Sequence, residues 1–173
     1  RMAANDKLLS EFAAGWTSEH ALSEPLTGAL FDILIDVFHE RLLEHGLITP
    51  EIEDLSDQLE GSPEYSDVMQ AVFDDRYARD PEGFRNALLE ARDLMGSYLA
   101  DAWDMLDADA LSYSHVEEAL LAVDRDISGG AYQEIIAGNF RVRDIGLTRV
   151  GPRLAEPDGD SHAVSVRTRV PHP

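Results

Sequence analysis

The chain has 173 residues, 44 % of them hydrophobic, enough for one domain with its own core, and no run approaches the ~18 uninterrupted apolar residues of a membrane span. It has no cysteine, which excludes disulfides, thiolate zinc clusters and cysteine nucleophiles. Thirty-four acids against 14 bases give a formal charge of −20, a surface that repels nucleic acid and anionic lipid.

Taken in chain order, "DKLLSEFAAGW" (residues 6–16) predicts a short helix with Leu8, Leu9, Phe12 and Ala13 on one side. A loop holding His20 follows. Ser23 then reads as an N-cap, with Glu24 and Pro25 in the first turn, where an acid and a proline are both favoured. Leu26, Leu30, Ile33, Val37 and Phe38 give that helix a wide apolar stripe, and Gly46 ends it. Asp32, Asp36, His39 and Glu40 take the opposite side.

Residues 49–61 predict a capped acidic helix, and residues 62–80 another, opened by Ser62 and Pro63. A third starts near Pro81 and runs to about Leu106, with Phe84, Leu88, Leu94, Met95, Tyr98, Leu99, Ala102 and Trp103 as its buried positions. Residues 112–126 and 130–146 complete an all-α fold, a bundle of about six helices spanning residues 1–149. No internal repeat is evident. From residue 150 to 173 the chain is rich in Pro, Gly and Asp and predicts a surface tail, in which the alternation of "HAVSVRTRV" (162–170) suits one edge strand.

Two motifs invite metal chemistry and fall short of it. In "HERLLEH" (39–45) the histidines are six apart rather than four, about 600° of helix rotation, so His39 and His45 diverge. "DRDISGGAYQEI" (124–135) places Asp124, Asp126, Ser128 and Gly129 as in a calcium loop, but the closing acid belongs one residue after Glu134. The alternative is a capped connection between helices. No phosphate-binding glycine loop or nucleophile elbow is present, and Trp16, Trp103 and the tyrosines sit where core packing is the default.

The charge raises a separate question. Only one base, Lys7, is a lysine. Such acidity suits a protein that works in high salt, and it equally suits an acidic protein whose coding bias favours arginine. Arg1 precedes Met2, so the start reads as a cut, and the absence of a signal pattern leaves the compartment open.

Two stretches together resemble the C-terminal helical lobe of the gluzincin metallopeptidases, the thermolysin-like zinc enzymes, and look closest to their bacterial relatives. "HALSEPLTGALFD" (20–32) is similar to a family stretch of the type "PHxRGxxLvaAvFDaf". His20 takes the histidine position, Leu26, Ala29, Phe31 and Asp32 match, and Gly28 fills a small-residue place. "VEEALLAVDRDISGGAYQEIIAGNFRVRDIGL" (116–147) is similar to "yLRALiTaDyDlvpdD…YRvAFieaFrrRGI", with Asp124, Asp126, Tyr132, Phe140, Arg143 and Gly146 in step. The stretch between them matches weakly.

The resemblance implies a lobe that forms one wall of a peptide cleft, with His20 as the donor that stabilises the oxyanion of the tetrahedral intermediate. It also implies a zinc ion in the full-length parent, held by HExxH and a later glutamate in an upstream catalytic half of the same polypeptide. This chain has no HExxH, so it is not expected to bind that zinc or hydrolyse peptides alone. The chain departs from the family at several places. The family orients its histidine with an acid a few residues earlier, whereas Gly15 stands five before His20 and the nearest acids are Glu11 and Glu19. Leu22 and Ser23 replace Arg-Gly. The implied partners are the upstream half and a peptide substrate, with self-association of the fragment through an exposed apolar face. The competing expectation is an acidic helical protein-interaction module with no catalytic part.

Overall fold

The structure, a computed structural model, describes residues 5–12, 15 and 18–146. Six helices and no strand occur among them: α1 (Glu19–Glu44), α2 (Pro50–Leu59), α3 (Tyr65–Arg79), α4 (Pro81–Met105), α5 (Tyr113–Ser128) and α6 (Gln133–Val142). The all-α architecture expected from periodicity is therefore the one found. The tail at 150–173 and its candidate strand lie outside the described residues.

Local chemistry sets the helix ends. Asp80 accepts the Gly83 N–H at 2.9 Å just ahead of Pro81, and Ser112 accepts the His115 N–H at 3.3 Å. Gly129, at φ 71°, closes α5 in the left-handed conformation that costs glycine nothing. At α1 the structure corrects the expected start. Ser18 is the cap, accepting the Ala21 N–H at 3.2 Å, so the helix opens four residues before Ser23. The Ser23 and Thr27 hydroxyls donate to the carbonyls of His20 (2.7 Å) and Ser23 (2.9 Å), and Pro25 lies buried inside the helix. Pro25 has no N–H for the Ala21 carbonyl one turn back, which is why it reads in sequence as a first-turn residue.

Where a helix is expected over residues 6–16, the described residues form a single 3₁₀ turn, Leu9–Phe12. Its backbone is engaged elsewhere. The Leu9 N–H goes to the Arg143 carbonyl at 2.9 Å, and the Glu11 carboxylate takes the Leu8 N–H (3.2 Å) and the Lys7 ammonium (3.1 Å).

α1 packs on α4 and α6, and α5 packs on the same two helices. Between them lies the main core, with Ile33, Val37, Tyr98, Leu120, Ile136 and Phe140 buried. Burial of each large apolar side chain is worth roughly 1.5–3 kcal/mol. Ala29, Ala91 and Ala102 have no exposed surface, and their small side chains let the helix backbones approach. A second, smaller core at the end of α1 joins Leu42, Ile48, Ile52, Met69, Phe84 and Ala87 under α2 and α3, and Phe38 touches both cores.

Two α4 positions expected to be buried are not. Leu88 is 45 % and Trp103 55 % exposed. Each follows a fully buried alanine, Ala87 or Ala102, and one residue is about 100° of helix rotation. The alanine takes the core side and turns its larger neighbour outward. No described helix is long and apolar enough to cross a membrane.

Arg143, just past α6, ties the N-terminal segment to α1. Its buried guanidinium donates to the Asp32 carboxylate and to the carbonyls of Asn5 and Lys7. Gly28 of α1 lies directly beneath it, and a methyl group there would overlap the guanidinium.

Candidate functional site

His20 occupies the first turn of the 26-residue α1, not a loop, and its side chain is exposed. That end of a helix carries unpaired N–H groups and the positive pole of the helix dipole. No hydrogen bond from a described side chain orients the His20 ring. Glu11, one of the two nearest acids in sequence, is committed to Lys7 and the Leu8 N–H, both of which hold its carboxyl below the usual range.

The exposed side of α1 continues from His20 in an unusual way. At about 100° per residue, Phe31 is about 20° and Ile35 about 60° round from His20, so all three share one stripe of α1 with Glu24 and Thr27, while Leu34 and Phe38 on that side pack against the core. Phe31 is 51 % and Ile35 43 % exposed. Glu24 is the one charged residue on that stripe, in a chain of which 28 % is charged. A helix face that only meets water carries more charge than this.

Beside the start of α1 is an apolar groove of about 470 Å³, lined by Leu9, Leu22, Leu26, Trp103, Leu111, Val116 and Ile145 among others. Tyr113, at the start of α5, donates its hydroxyl to the Leu22 carbonyl and fixes that helix against α1. Burial pushes the Tyr113 phenol pKa up, so it stays a neutral donor.

The structure keeps the other sequence candidates apart. His39 meets Glu53 of α2 at 3.0 Å, and His45 meets Glu90 of α4 at 2.8 Å, so the two rings serve different helix contacts. Asp124 is fully buried in the last turn of α5. It accepts hydrogen bonds from Tyr98 (2.7 Å), Gln133 (2.5 Å), the Tyr132 N–H (3.2 Å) and the Ser128 hydroxyl. Burial alone would raise its pKa, but the bonds from Gln133, Ser128, Tyr98 and Tyr132 outweigh that and hold the carboxyl below the usual range.

Residues 124–128 are helical, so they do not form the calcium loop their spacing suggests, and Asp126 faces solvent. Asp124 is a structural tie among α4, α5 and the start of α6. Among the described residues no three His, Asp or Glu side chains gather into a metal site.

No protein-family model, curated protein or solved structure matches the chain.

Two features of this region were not visible in the sequence. The groove has no sequence signal because Trp103 and Leu26 read as core positions, and only the turn of α4 after Ala102 exposes the indole. The second is the exposed apolar side of α1 at Phe31 and Ile35, because the sequence predicts a polar side made by Asp32, Asp36, His39 and Glu40. Asp32 and Asp36 are in fact engaged with Arg143 and with Asn139 (2.6 Å) at the flank of the helix.

Proposed function

We propose that this chain is the C-terminal helical lobe of a zinc-dependent peptidase of the gluzincin type, forming one wall of the substrate cleft. The observation that carries the reading is the stripe of α1. An exposed histidine at the positive end of the longest helix shares one face with exposed Phe31 and Ile35. That face suits a surface laid against the catalytic half of the same polypeptide, with His20 at its edge.

In this role His20 presents an imidazole N–H to the oxygen that becomes negative as a peptide carbonyl turns tetrahedral. The contact is stronger in the transition state than in the ground state, and the helix N-terminus adds positive potential on the same side. The metal and its ligands belong to the upstream half, and no residue described here takes part in their chemistry. In the intact protein with demonstrated peptidase activity, His20→Ala lowers kcat by about 10²–10³-fold with KM little changed. Full kcat in that variant removes His20 from the mechanism.

A second reading, an acidic helical module that binds a protein partner without catalysis, is favoured by the absence of HExxH from the sequence. A partner that binds the chain through Phe31 and Ile35, from a source with no peptidase activity, decides for it.

A further inference from the structure

We draw no further inference here: the strongest candidate, the apolar groove of about 470 Å³ between the start of α1, the end of α4 and the start of α5, carries nothing because nothing in the structure shows what covers it.

Discussion

Replacing Asp124 with alanine removes the one acceptor on which four donors converge. Two of those donors, the Tyr98 hydroxyl and the Tyr132 N–H, belong to residues buried away from bulk solvent. A buried donor left without a partner costs roughly 1–3 kcal/mol. Gln133 and Ser128 are half-buried and recover part of their bonding from solvent, so the total loss is about 3–4 kcal/mol. A domain of this size has roughly 5–15 kcal/mol in all, so the variant folds with much reduced margin. Tyr98→Phe leaves the carboxylate with three donors and costs about half as much, roughly 1.5–2 kcal/mol.

The pH dependence follows from the lowered Asp124 pKa. A depressed carboxyl contributes stability above its unfolded value of about 3.9 and loses it as pH falls through the folded value. The gap between wild type and Asp124→Ala is therefore full at pH 7 and narrows as pH drops below about 3.9. Urea unfolding followed by far-UV circular dichroism at pH 7 and at pH 3 measures both effects. A cost below about 1 kcal/mol for Asp124→Ala, or an equal cost for Tyr98→Phe, would refute the argument.

Asp32→Ala takes the carboxylate from a buried guanidinium and lowers stability by roughly 1.5–3 kcal/mol; Gly28→Ala also destabilises, by displacing the same group, and thermal melts of both variants are the check. Phe31→Ser with Ile35→Ser changes stability by no more than about 0.5 kcal/mol per site, because both are half in water, yet it weakens any self-association seen by sedimentation. An unchanged sedimentation profile for a self-associating wild type speaks against the stripe as an interface. If the acidity is an adaptation to high salt, molar KCl raises Tm relative to low salt as screening relieves repulsion among the 34 acids, and a Tm that does not move removes that reading.

Helices α2, α4 and α5 are legible because their ends carry local signals, Thr49-Pro50, Asp80-Pro81, Ser112 and Gly129. By contrast, α3 opens at Tyr65 rather than at Ser62 and Pro63, and α6 spans only Gln133–Val142 of the expected 130–146, both without a side-chain cap. The two failures at the N-terminus have another cause. Leu9 gives its backbone N–H to Arg143, far away in sequence, and α1 accommodates a proline that normally marks a first turn. No local pattern encodes either. Leu88 and Trp103 show the limit of apolar periodicity, since it cannot tell which of two adjacent apolar residues takes the core side when one is alanine.

The calcium-like spacing at 124–135 arises because the same acids and glycines that build a loop also serve to end a helix, and the capped connection is what the structure has. At the candidate site, the sequence places His20 near a helix start, and only the family resemblance gives it a catalytic role. Its exposure and its company on the α1 face depend on the Ser18 cap, which shifts the helix start ahead of it.

The proposal that this chain is half of an enzyme is tested most directly by the intact mass of the gene product as its native cell makes it, read together with the sequence upstream of Arg1. The account predicts a product much larger than 19.2 kDa, carrying HExxH and a downstream glutamate ahead of this lobe. A native product near 19.2 kDa contradicts it, and His20 then needs no catalytic explanation.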